Sequence, residues 1–133
     1  MSDKTKSSGK AKSSDETASD EELLESFAQE ARRRCDVIAA GLATATTDFE
    51  TMRAEAHALR GTAGVVGLRR LAELAGLMES DLAEAKKTGT IRGGRDHQIA
   101  DAAKALAEGA AAAAKGEEEP PDVGRSLAQL FSA

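Results

Sequence analysis

A chain of 133 residues, 41% apolar and 31% charged, has room for one compact domain and a tail or two. It has no Trp or Tyr on which bases could stack, and its net charge of -5 opposes phosphate backbones, which excludes nucleic acid as a partner. One Cys and two His rule out an internal disulfide and a closed zinc ligand set, and no apolar run is long enough for a signal peptide or a membrane span; a soluble, cytoplasmic protein is expected, with no membrane partner.

Residues 1–18 are nearly all small, polar or charged and offer nothing to bury, so they read as a disordered tail. Ser19 with Glu22 three residues on forms a capping pattern that should open a first helix. Its apolar face is Leu24, Phe27, Ala31, Cys35, Ile38 and Leu42, spaced by three or four, and Gly41 marks its end. On that face Cys35 is expected to be a small buried hydrophobe.

A second capping pattern, Thr47 with Glu50, precedes the clearest stripe in the chain: Phe49, Met52, Ala56, Leu59, Ala63 and Val66. Glycines at 61, 64 and 67 loosen the end of that helix. Leu68, Leu71, Ala75, Met78, Leu82 and Ala85 then start a third stripe, closed by Lys86, Lys87 and Gly89, where cations suit the negative end of a helix dipole.

Glycines make a loop of residues 91–94, and Asp96 is placed to cap a fourth helix through Ile99, Ala103, Leu106, Ala110 and Ala113, rich in alanine and so thin on its apolar face. Residues 117–122 read as a linker by charge and proline, and residues 123–133 as one short amphipathic segment through Val123, Leu127, Leu130 and Phe131. Docking on the bundle, binding a partner and remaining unfolded are all open to that segment. Four amphipathic helices from residue 19 to 116, with short connections and no period-two strand, predict an all-α, antiparallel up-down four-helix bundle with a short extra C-terminal helix.

His57 lies in the best-defined helix but off its stripe, roughly 135° from the stripe's centre at about 100° per residue, so it should face solvent. Arg53, Arg60, Gly61 and Gly64 share its outer surface. A titratable nitrogen nucleophile is thus flanked by cations and by missing side chains, and glycines in a helix ask for a reason beyond packing. His97, at the start of the fourth helix, has no such surroundings and is assigned no role.

The run His57-Ala58-Leu59-Arg60-Gly61-Thr62-Ala63-Gly64, followed by Val65-Val66-Gly67-Leu68, resembles the signature of histidine-containing phosphotransfer domains: His, two residues, Lys or Arg, Gly, Ser or Thr, then a small residue. The resemblance covers about residues 21–116, with Arg60 where Lys is commoner. Within the family, Leu77-Met78-Glu79-Ser80-Asp81-Leu82 and the basic end of that helix are most similar to the N-terminal phosphotransfer domain of chemotaxis-type histidine kinases. It implies a phosphorelay module in which His57 accepts a phosphoryl group on its outer ring nitrogen from a histidine kinase or hybrid kinase and exchanges it with an aspartate of a response-regulator receiver domain. It also implies no metal or cofactor in the module: Mg²⁺ and ATP come with the partners.

Arg60, one turn from His57, would then offset charge on the phosphoryl oxygens. Glu79 stands as far beyond Leu68 as His57 stands before it, so an antiparallel hairpin brings the two level, and a carboxylate on one ring nitrogen leaves the other as nucleophile. Ala72, Gly76 and Ala83 add a low surface on the third helix, where, with Gly61, Gly64 and Arg53, a receiver would dock. No glycine-rich nucleotide loop is present, so the chain reads as a phosphocarrier rather than an enzyme. The alternatives are the substrate domain of a larger chemotaxis-type kinase and a non-catalytic module that sequesters a receiver or kinase.

Overall fold

The computed structural model of the protein describes residues 12–44 and 48–132, with side chains from Asp20 onward. Five α-helices follow one another in these residues: α1 (Lys12–Leu42), α2 (Phe49–Val65), α3 (Arg69–Thr88), α4 (Asp96–Ala114) and α5 (Pro121–Phe131), with a 3₁₀ turn (Arg92–Gly94) before α4. The expected all-α bundle is observed: α2 packs most closely on α3 and α1 on α4, α1 also touches α2, and α3 also touches α4.

The stripes explain the packing. Phe27, Ile38, Met52, Leu59, Leu74, Met78, Leu82, Ile99 and Leu106 are all fully buried, each from an expected apolar face or beside it. Cys35 is buried among them, and desolvation pushes its thiol from an ordinary value near 9 up to about 12. At pH 8 that leaves roughly a thousandfold fewer thiolates than in the unfolded chain. Cys35 should therefore resist a disulfide reagent in the native protein and react fully in denaturant, a colorimetric measurement; its raised value also means stability is intact below about pH 9 and falls as pH climbs towards 12.

Helix ends differ from expectation in three places. The backbone is helical from Lys12, so Ser19 lies within α1 instead of capping it. No Gly or Pro interrupts residues 12–40, and propagation adds a hydrogen bond for each residue fixed. The rest of the expected tail, residues 1–11, and the cap residue Thr47 lie outside the described residues; the observed cap of α2 is Asp48, whose Oδ1 accepts from the Thr51 amide (3.0 Å) and Oδ2 from its hydroxyl (2.6 Å). Those bonds hold the Asp48 carboxyl below its usual range. In α4 the cap position belongs to Arg95, and Asp96 is the first helical residue, where its charge still favours the helix N-terminus.

Between α2 and α3 the chain turns within three residues. Gly67 takes φ +83, Leu68 N–H reaches Ala63 O (2.9 Å) and Gly67 N–H reaches Gly64 O (3.1 Å), the paired bonds of a Schellman motif. This turn sets the register in which α3 runs back along α2.

The terminal segment docks. In α5, Val123, Ser126 and Leu130 are buried against α3 and α4, whereas Phe131, expected on the apolar face, is 77% exposed. α4 is correspondingly less thin than its composition suggests, because Ala102, Ala105 and Ala112 are buried along with Ala103 and Ala110. Gly109 permits the close approach: a Cβ there would lie 2.9 Å from Leu71 and 3.1 Å from Val123.

One buried ion pair fastens this end. Arg95 Nη2 lies 2.7 Å from Asp81 Oδ2 and also donates to Leu130 O (2.9 Å), while Nη1 donates to Ser132 O (3.0 Å). A single guanidinium thus joins α3 to the last carbonyls of α5. Glu119, in the expected linker, pairs with Arg70 at 2.9 Å.

Candidate functional site

α2 and α3 bring together side chains 22 residues apart in sequence. The Nδ1 atom of His57 lies 2.9 Å from Glu79 Oε2, and the imidazole is 58% exposed while Glu79 is only 17% exposed. An ionised carboxylate can only accept, so in the neutral ring this contact favours the tautomer with the proton on Nδ1 and the lone pair on Nε2. Among the described residues Nε2 takes no hydrogen bond.

Glu79 is shared. Its Oε1 faces Arg60 Nε at 3.2 Å, and its Oε2 also faces Arg53 Nη1 at 3.4 Å. Arg53 in turn forks onto Glu50, with Nε at 3.0 Å and Nη2 at 2.9 Å, and Lys86 Nζ reaches Glu50 at 2.8 Å. Arg53 first, then Lys86, holds the Glu50 carboxyl down at about 2, and Glu50 raises the Arg53 guanidinium in return. Charges alternate in sign from Lys86 to Arg60, which fixes the Glu79 carboxylate from three sides.

The expected residues are distributed unequally around this cluster. Arg53, His57, Arg60 and Glu79 meet directly. Gly61 and Gly64 are exposed on the same helix, and a Cβ on either would meet nothing within 4 Å. Neither has a positive φ, so neither packing nor backbone conformation calls for glycine there. Ala72, Gly76 and Ala83 are half-buried on the Glu79 face of α3. Gly76 is not bare, however, because the Arg60 stem lies against it. His97 is exposed at the start of α4, and its side chain takes part in no hydrogen bond or ion pair among the described residues.

The ties of Arg60 and Arg53 to Glu79 are the part that sequence spacing did not reveal. Long side chains on α2 lean across the helix interface, and only a solved register tells which residue of α3 they meet.

Among the described residues no three His, Cys, Asp or Glu side chains are grouped to hold a metal ion, and no helix is long and apolar enough to cross a membrane. An apolar groove lies between α1 and α4, floored by Ala28, Cys35, Ala39, Ala107 and Ala111, and His57 does not line it.

Neither a curated protein nor a solved structure matches the chain. The Hpt domain family does, over residues 22–116, a span that runs from within α1 past the end of α4 and so includes both helices of the His57 cluster. With that match covering most of its length, the chain belongs to the Hpt domain family, the histidine phosphotransfer modules of phosphorelays.

Proposed function

We propose that His57 is the phosphorylated residue, accepting the group on Nε2 and passing it to an aspartate of a response-regulator receiver domain. The observation that carries this is the Nδ1 contact with Glu79 at 2.9 Å, which leaves Nε2 unbonded on an exposed ring. In acceptance from an aspartyl phosphate, the Nε2–P bond forms as the P–O bond to the receiver's carboxylate breaks. In donation an oxygen of the receiver's aspartate carboxylate bonds to phosphorus as the Nε2–P bond breaks, and the electron pair of that bond returns to Nε2. The phosphorylated ring keeps its Nδ1 proton and is cationic, so the Glu79 carboxylate favours that form and keeps the imidazole a good leaving group. Arg60 offsets charge on the equatorial oxygens. Mg²⁺ and ATP belong to the receiver and the kinase.

The open space over Gly61 and Gly64 supports docking of the receiver on the outer face of α2, with Arg53, Ala72 and Ala83 at its margin on α2 and α3. Val65, also exposed there, adds apolar contact. A donor of the histidine kinase or hybrid kinase type fits this scheme. The Glu79–His57 bond further favours the chemotaxis-type subfamily over other phosphotransfer modules, and a role as substrate domain for such a kinase.

The test is to incubate the purified protein with a phosphorylated receiver, or with an ATP-fed chemotaxis-type kinase core. The expected product carries acid-labile, base-stable label, the signature of a phosphoramidate. Receiver binding without label from any donor would replace this function by sequestration.

A further inference from the structure

Gly76 sits where α3 meets Arg60. A Cβ built on Gly76 would lie 3.2 Å from the Cδ of Arg60, tighter than side chains ordinarily stand, so the arginine stem rests directly on the helix backbone. Beyond Cδ, the Nε of Arg60 reaches Glu79 Oε1 at 3.2 Å, and Glu79 is three residues from Gly76 on the same face of α3. The other oxygen of that carboxylate holds His57 Nδ1.

The backbone does not require glycine here. Gly76 lies inside α3 and has no positive φ, and glycine weakens a helix interior relative to alanine. The missing side chain is used instead by Arg60. With its stem seated and its Nε on Glu79, Arg60 has both Nη groups without a partner among the described residues, one turn from His57 on a shared surface.

We infer that Gly76 is a positioning residue for phosphoryl transfer, the seat that lays Arg60 across α3 so that one carboxylate, Glu79, orients both the nucleophilic ring and the guanidinium that meets the phosphoryl oxygens. The role presupposes His57 as the phosphoryl carrier, as proposed above. Gly76 acts through Arg60 alone, and its substitutions are silent once Arg60 is gone. A leucine at 76 occupies the seat and displaces the guanidinium. An alanine asks Arg60 to yield by only a few tenths of an ångström, so it largely preserves the arrangement.

The experiment is a cycle in the full chain: Gly76→Leu, Gly76→Ala, Arg60→Ala and Gly76→Leu/Arg60→Ala. Each is read by the rate of phosphoryl transfer from a phosphorylated receiver and by the side-chain ¹⁵N spectrum of Arg60 and His57. Gly76 is half-buried, and thermal unfolding of each variant checks the fold. Gly76→Leu is expected to slow transfer on the order of tenfold and to move the Arg60 Nε resonance, with Gly76→Ala close to wild type. In the Arg60→Ala background the leucine is expected to change the rate less than about twofold. Equal slowing in both backgrounds, or an unmoved Arg60 resonance and rate in Gly76→Leu, would overturn the role of Gly76 while leaving the phosphocarrier standing. No label on the wild type would overturn both.

Discussion

A His57→Gln protein is expected to take no label from any phosphodonor while unfolding at the wild-type temperature. Glutamine has a similar reach, but its amide nitrogen is not a nucleophile, so the loss should be complete rather than fractional. The fold should be indifferent to the change. The imidazole is more than half exposed and makes one hydrogen bond, and substitutions at such positions stay within about 0.5 kcal/mol. Glu79 is not stranded either, since Arg53 and Arg60 remain on its two oxygens. Label that persists on His57→Gln at the wild-type level would place the phosphoryl group elsewhere and refute the assignment of His57. An altered melting temperature would show that the ring also supports the bundle.

The largest effect on stability is expected from Arg95→Ala. Asp81 and Arg95 have side chains only 10% and 11% exposed, and removing one partner of such a pair strands a charge at a cost of about 3–5 kcal/mol. Arg92, 3.8 Å from the other Asp81 oxygen, offsets part of this, so the lower end of the range is expected. In the same substitution α5 loses the donor to Leu130 O and Ser132 O. A loss of about 3 kcal/mol corresponds to a fall in melting temperature of about 10 °C for a domain of this size, measurable by circular dichroism. Combining Arg95→Met with Asp81→Leu should recover most of the loss, because a well-packed apolar pair matches or exceeds a buried ion pair. A cost below about 1 kcal/mol for Arg95→Ala would mean that water reaches Asp81 and the pair fastens nothing.

Periodicity made the bundle legible because apolar spacing records which face is buried whatever covers it. Met52, Ala56, Leu59 and Ala63 lie where their spacing placed them. Helix ends were less legible, since a start such as Ser19 competes with simple continuation of the helix, and nothing in residues 12–18 breaks it. For α5 an apolar face was visible, but not its cover, which depends on the space that Gly109 leaves between Leu71 and Val123. At the site, Glu79 was found by hairpin symmetry about Leu68, a property of chain length. Its tie to Arg60 and the seat at Gly76 depend on a side-chain path across two helices, which spacing does not encode. Asp81 was not picked out by spacing, although it is a carboxylate flanking the apolar stripe of Met78 and Leu82 and is buried in the structure. Its partner lies across a turn that Gly93 and Gly94 shape with positive φ, so the pair itself was hidden.

The Schellman turn at Gly67 constrains how this protein can change its length. Adding or removing one residue of α3 between that turn and Glu79 would rotate Glu79 by about 100° about the helix axis and carry it away from His57, although every helix could still form. Insertions elsewhere, between α1 and α2 or ahead of α5, leave that register untouched. All the side chains that meet at Glu79 lie within the one hairpin from Arg53 to Glu79. Such a hairpin can be moved to another bundle as a cassette, so long as the host supplies an apolar wall for Met52, Leu59, Leu74 and Met78.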